Sequence, residues 1–95
     1  MLKHVVLLKF KESVTAEQIA DLKSSLLALP KLIEEIKGYE CGSDQRSTKT
    51  FDFVLVATFT DFDALNRYQV NPDHVEVLTK VRNMSARIEA ADFEY

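Results

Sequence analysis

Tryptophan is absent from this 95-residue chain, and cysteine occurs once, at Cys41. A lone cysteine excludes an internal disulfide and a multi-cysteine metal site, so we expect Cys41 to be inert. Glycine and proline are scarce, with two residues each, and no internal repeat, low-complexity tract or linker is recognisable. With 46% hydrophobic and 28% charged residues, residues 1–95 have the composition of one ordinary globular domain.

The chain also lacks an excess of positive charge. Its 12 lysines and arginines are scattered among 15 acidic residues, for a net charge of −3, whereas a nucleic-acid-binding protein normally presents a basic face. The apolar run near the N-terminus is interrupted by Lys3, His4 and Lys9, is too short to span a membrane and lacks a small-residue cleavage site. We therefore expect a soluble, cytoplasmic protein that binds neither nucleic acid nor membrane.

Hydrophobic periodicity predicts alternating strands and helices. The predicted strands are residues 3–10, 39–46, 51–59 and 86–95. The predicted helices are residues 13–29, 62–70 and 73–84, with one or two further helical turns at 31–37 that Gly38 would end as the C′ residue. The order β-α-β-β-α-β is that of the ferredoxin-like α+β fold, a four-stranded antiparallel sheet with helices on one face.

Capping residues support the predicted helix starts. Thr15 precedes Gln18 by three residues, the spacing of a capping box. Asp61 is suited to cap the second helix. Asn71 followed by Pro72 is typical of the start of a third helix, with Asn as the N-cap and Pro in the first helical position.

The distribution of apolar residues over the two sheet faces predicts a homodimer. Strands 1 and 3 are the most apolar and occupy the centre of a ferredoxin-like sheet, where two helices cover only one face. An antiparallel sheet with one solvated face is normally polar on that face. Here the second face is apolar as well, so we expect a second copy of the sheet to cover it; its residues are Val5, Leu7, Val54 and Val56.

Three polar rings point to a candidate site between the sheet and the helices. Alternation places His4 on the helix-packed face of strand 1, and Tyr68 and His74 lie on apolar faces of the second helical region. An apolar cavity with a few convergent polar groups is the usual form of a small-molecule pocket. The apolar residues expected to surround the rings are Val6, Leu8, Leu22, Leu26, Leu55 and Val77.

These rings suggest proton abstraction next to a carbonyl group. His74 lies near the third position of its helix, where the dipole disfavours the protonated imidazole, so it is the candidate general base. Tyr68 is the candidate hydrogen-bond partner of a carbonyl or enolate oxygen, and His4 the residue that orients a ligand. This chemistry needs no metal or cofactor, and two histidines alone do not make a metal site. A purely structural interpretation also stays open. In that interpretation Asn71 and Pro72 only start a helix, and the rings only belong to the core.

The segments KHVVLLKFKESVT and FDFVLVATFTDFDALNRYQVNPDHVEV, together with Gly42 and the final strand, resemble the Dabb family. These are the stress-responsive dimeric α/β-barrel domains, and the resemblance covers essentially the whole chain. It implies a homodimer whose two sheets form a central barrel. One branch of the family is similar to plant polyketide cyclases of the olivetolic acid cyclase type, and that similarity implies acid–base roles for Tyr68 and His74 and a site position for His4.

The sequence departs from that pattern at two places. Asn71 stands where the family often has a histidine. Leu22, Lys23 and Leu26 lie along the first helix, where the cyclase has aromatic residues. Three hypotheses therefore remain. The first is a cofactor-independent cyclase- or lyase-like enzyme, the second a non-catalytic dimeric stress-related domain, and the third a protein similar to the cofactor-free antibiotic-biosynthesis monooxygenases.

Overall fold

The computed structural model describes all residues from 1 to 95 and contains the predicted order of elements. The sheet order is β2-β3-β1-β4 with antiparallel neighbours throughout. The ferredoxin-like α+β fold is thus confirmed, as is the central position of the first and third strands. The elements are β1 (Leu2–Phe10), α1 (Ala16–Ala28), β2 (Gly38–Ser43), β3 (Phe53–Phe59), α2 (Phe62–Val70), α3 (Pro72–Met84) and β4 (Ser85–Glu94).

The predicted caps form. Thr15 Oγ1 accepts a hydrogen bond from the Gln18 backbone N–H at 3.2 Å, and Gln18 Oε1 accepts one from the Thr15 N–H at 2.8 Å. Asp61 caps α2 with its side chain. Asn71 Oδ1 accepts from the backbone N–H at position 73 at 2.9 Å. Because α3 therefore begins at Pro72, His74 is fixed in its first turn.

The predicted helical turns at residues 31–37 are wrong. Only a short 3-10 turn, Leu29–Lys31, follows α1, and the chain then runs through irregular turns into β2. Pro30 has no N–H to extend the helix ladder, so α1 ends before it. The helical prediction rested on the spacing of Ile33 and Ile36. Both side chains are buried in the core, but the backbone around them forms turns and not a helix.

Gly38 is accordingly not a helix C′ residue. It is the first residue of β2, and no glycine in the chain has a positive φ angle. A Cβ atom at Gly38 would lie 3.1 Å from Thr58 Oγ1, so the close approach of β2 to β3 favours glycine here. The strand also ends earlier than the predicted residue 46, because Asp44 folds back to accept a hydrogen bond from the Arg46 N–H.

Strand register separates the two faces of the sheet. His4 lies opposite Ala57 on the face that packs against the helices, where the buried core is concentrated. On the other face, Val5 lies opposite Val56 and Leu7 opposite Val54, and all four are half-buried in the single chain. No helix of the same chain packs against this apolar second face. None of the helices has the length and apolar composition needed to cross a bilayer.

Candidate functional site

A cavity of about 410 Å³ lies between the helix-facing side of the sheet and α3. Its walls are mainly apolar, and both histidines of the chain line it. Eight of the nine predicted site residues line it: His4, Val6, Leu8, Leu26, Leu55, Tyr68, His74 and Val77.

Leu22 is the exception among the predicted residues. It is 0% exposed and packs within the hydrophobic core, and it does not line the cavity. Leu22 and Leu26 are one turn apart on α1, but the cavity extends toward α3 and β4 and includes only the second of them. Six lining residues were not predicted: Gln69, Leu78, Val81, Arg82, Ile88 and Ala90.

His74 is held in one tautomer by the end of α2. Its Nδ1 lies 3.1 Å from the Gln69 carbonyl oxygen, which can only accept, so Nδ1 carries the proton and Nε2 keeps its lone pair. Burial lowers the pKa of the imidazole below its usual 6.5. Desolvation is the main cause of the lowered pKa, so His74 is neutral near pH 7.

Tyr68 contacts both the ring of His74 and a second tyrosine, Tyr39. The Tyr68 and His74 ring centroids are 4.2 Å apart, and the Tyr68 hydroxyl lies 2.7 Å from the Tyr39 hydroxyl. Tyr68 is only 1% exposed. Burial raises its pKa to about 12, while the hydrogen bond with Tyr39 acts to lower it. The Tyr68 hydroxyl thus keeps its proton at neutral pH and is a potential donor.

Tyr39 was not predicted as part of the site. It lies on β2 opposite Ala57, and His4 lies opposite the same residue from β1. Tyr39 and His4 therefore flank Ala57 on the helix-packed face of the sheet. The relation follows from the strand register, since side chains opposite one central residue share its face.

His4 is paired with an acidic residue of the neighbouring strand. Its Nδ1 lies 2.5 Å from Asp92 Oδ1, and the two residues are directly opposite in the β1–β4 register. A carboxylate at Nδ1 fixes the ring orientation and leaves Nε2 as the free nitrogen. Asp92 was not predicted either, because β4 is exposed along most of its length and its charges resemble an ordinary solvated edge.

The arrangement suits proton transfer more than metal binding. Two imidazoles with engaged Nδ1 atoms and one protonated tyrosine hydroxyl lie at a mostly apolar cavity. Nowhere in the chain do three or more His, Cys, Asp or Glu side chains form a cluster that could hold a metal ion. Groups of this kind can take a proton from a bound molecule and donate one to it.

The fold and site define a ferredoxin-like domain with a small-molecule-sized cavity. The chain matches the stress responsive A/B barrel domain (Dabb) over residues 2–95, and it belongs to that family. It is 32% identical over 80 residues to the stress-response A/B barrel domain-containing protein HS1 of Arabidopsis thaliana, covering 81% of this chain and 73% of HS1.

Solved structures of bacterial proteins share the whole fold. A dimeric ferredoxin-like protein of unknown function from Thermobifida fusca is 30% identical, with a TM-score of 0.90 over 99% of this chain and 90% of that chain. A dimeric protein of unknown function with a ferredoxin-like fold from Bacteroides fragilis is 26% identical, with a TM-score of 0.90 over 99% of this chain and 95% of that chain.

Proposed function

We propose that this protein is a cofactor-independent acid–base enzyme, of the cyclase or lyase type, acting on a small molecule that contains a carbonyl group. One observation carries the proposal. His4 and His74 both line the apolar cavity, and each has Nδ1 engaged by an acceptor. Each ring therefore keeps Nε2 available for a proton of a bound molecule.

His74 is the general base of the proposed reaction. Its Nε2 takes a proton from the carbon next to the carbonyl group, and the electron pair of the broken C–H bond moves to the carbonyl oxygen. The lowered pKa of His74 keeps the base unprotonated at neutral pH. The enolate then attacks an electrophilic carbon or expels a leaving group, and the proton on Nε2 returns to the product.

Tyr68 and His4 complete the site. The Tyr68 hydroxyl stabilises the developing negative charge by donating to the carbonyl oxygen. For this role Tyr39 donates to Tyr68, which leaves the Tyr68 proton free; the 2.7 Å separation of the two hydroxyls permits that direction. His4, oriented by Asp92, positions the ligand. The walls are mainly apolar, and a less polar surrounding strengthens each of these interactions.

We further infer that the chain forms a homodimer through the uncovered sheet face. Val5, Leu7, Val54 and Val56 form this apolar patch, and the helices of the same chain lie on the opposite side. The ferredoxin-like relatives from Thermobifida fusca and Bacteroides fragilis are described as dimeric. Burial of the patch against its copy removes it from water without any change in the protomer.

Ligand binding without turnover is the second candidate function. Its support is the Tyr68 hydroxyl, which already has a partner in Tyr39 and is almost fully buried. If that hydroxyl donates to Tyr39, it has no proton left for a substrate carbonyl. The site would then hold a small molecule in an apolar cavity with no group to stabilise an enolate.

Solvent deuterium exchange separates the two functions. The probe is 2-tetralone, an aromatic ketone with acidic protons beside its carbonyl, followed by NMR in D₂O. Catalysis predicts exchange above the buffer rate that falls about 100-fold or more in His74→Gln and also falls in Tyr68→Phe. Glu76→Gln is the matched control, since Glu76 is exposed on α3 and does not line the cavity. Saturable binding of the ketone with no exchange would leave only the binding function.

A further inference from the structure

Five residues of α3 line the cavity, and three of them follow one another at intervals of about one turn. His74, Leu78 and Arg82 are spaced i, i+4 and i+8, so they lie along one face of the helix. His74 and Arg82 are separated by roughly 12 Å along the axis, at 1.5 Å per residue. Helical side chains lean toward the N-terminus of their helix, so we expect the long Arg82 side chain to lean toward His74.

Arg82 differs from the other three arginines of the chain. Each of those forms an ion pair with a carboxylate: Arg46 with Asp44, Arg67 with Glu35, and Arg87 with Glu89. Arg82 has no ion pair and makes no side-chain hydrogen bond. Its guanidinium group is therefore free to bind a ligand.

The charges around the cavity favour an anion. No aspartate or glutamate is among the lining residues, and the nearby Asp92 carboxylate is engaged by His4. An unpaired guanidinium beside a mostly apolar cavity is suited to a carboxylate, which it can bind through two parallel hydrogen bonds. The chain as a whole has a net charge of −3, so this local cation is not part of a general basic surface.

We propose that Arg82 binds a carboxylate group of the ligand, so that the site selects keto acids over neutral ketones. The inference rests on the proposed function of the same site. The carboxylate lies at the Arg82 end and the carbonyl lies near His74 and Tyr68, so the two groups of the ligand are separated by several bonds. Leu78, between the two ends, contacts the apolar part of the ligand.

The test compares 3-benzoylpropanoate, a keto acid, with its uncharged methyl ester, by isothermal titration calorimetry. We expect the wild-type protein to bind the acid about tenfold more tightly than the ester. Arg82→Gln abolishes this preference, and Arg82→Lys keeps part of it because it keeps the charge. Arg67→Gln is the matched control: it removes an equal charge from a residue that does not line the cavity, and it leaves the preference intact.

Added salt supplies an independent check, because it weakens binding of the acid more than binding of the ester if the contact is ionic. Equal affinity for acid and ester in the wild-type protein, or a preference that survives Arg82→Gln, overturns the inference. Failure of the acid to bind overturns it as well, whereas binding of the acid without binding of the ester supports it.

Deuterium exchange beside the ketone, measured on the same samples, separates this inference from the proposed catalysis. Exchange of both probes without a charge preference contradicts only the role of Arg82. A charge preference without exchange supports Arg82 as a carboxylate-binding residue and contradicts only the catalysis.

Discussion

Asp92 of β4 and His4 of β1 face each other across the sheet, with 2.5 Å between Oδ1 and Nδ1. The two residues are directly opposite in the β1–β4 register, so their side chains lie on the same face of the sheet. The His4 side chain is 10% exposed, whereas the Asp92 side chain is 29% exposed. The carboxylate thus lies at the edge of the protein while the ring it orients lies at the cavity.

Asp92→Asn tests whether this pair matters for function. The change removes the negative charge but keeps the shape, so His4 loses its charge-assisted hydrogen bond and its fixed tautomer. We expect a loss of about 1–2 kcal/mol in the free energy of unfolding and about a tenfold slower exchange of the ketone probe. Urea denaturation and NMR measure the two effects. Glu94→Gln, on the same strand, is the control, and identical behaviour of the two variants would refute a role for the pair.

Tyr39→Phe tests the tyrosine pair. The variant keeps the ring, which packs against the Tyr68 ring at a centroid distance of 6.2 Å, but leaves the buried Tyr68 hydroxyl without its partner. A cost of about 1–2 kcal/mol in unfolding free energy is expected. Tyr95→Phe, at an exposed position, should cost almost nothing. Equal stability of both variants would mean that the Tyr39 hydroxyl contributes nothing.

Val56→Asp tests the proposed dimer interface. Val56 lies in the middle of the uncovered apolar face, and a carboxylate there would be desolvated against a second copy, so the variant should sediment as a monomer. Val75→Asp places the same charge at an exposed position of α3 and should leave the sedimentation coefficient unchanged. Circular dichroism establishes that both variants are folded. The milder Val56→Thr, which should weaken the dimer, replaces Val56→Asp if that variant unfolds. A folded Val56→Asp dimer would exclude this face.

Most of the fold follows from local sequence signals. The apolar residues of 3–10 and 51–59 identified the central strands, and the predicted caps Thr15 and Asn71 are the N-caps of α1 and α3. The main error lies between α1 and β2. There Ile33 and Ile36 mimic helical spacing, but Pro30 removes a backbone donor, and tertiary contacts bury both residues from turns.

Only part of the site could be predicted from the sequence. His4, Tyr68 and His74 are uncommon polar rings on apolar faces, so the periodic pattern of apolar residues is enough to identify them as candidates. Asp92 and Tyr39 become partners only through strand register, which depends on contacts distant along the chain and has no local signal here. Arg82 resembles any exposed helical arginine until the ion pairs of the other three are known.

The pH dependence of exchange tests the role of His74 most directly. Burial lowers the pKa of His74 below 6.5, so the neutral base persists at pH 7 and is lost only as the pH falls through the lowered value. The exchange rate is therefore expected to be constant near neutrality and to decline on the acid side with a midpoint below 6.5.

The decisive measurement is to record this acid-side midpoint of the exchange rate together with the NMR titration of the His74 imidazole. We predict that the two midpoints coincide, and that His4→Gln leaves both of them below 6.5. An exchange rate that persists below the His74 midpoint, or that follows a different titrating group, would contradict the assignment of His74 as the general base.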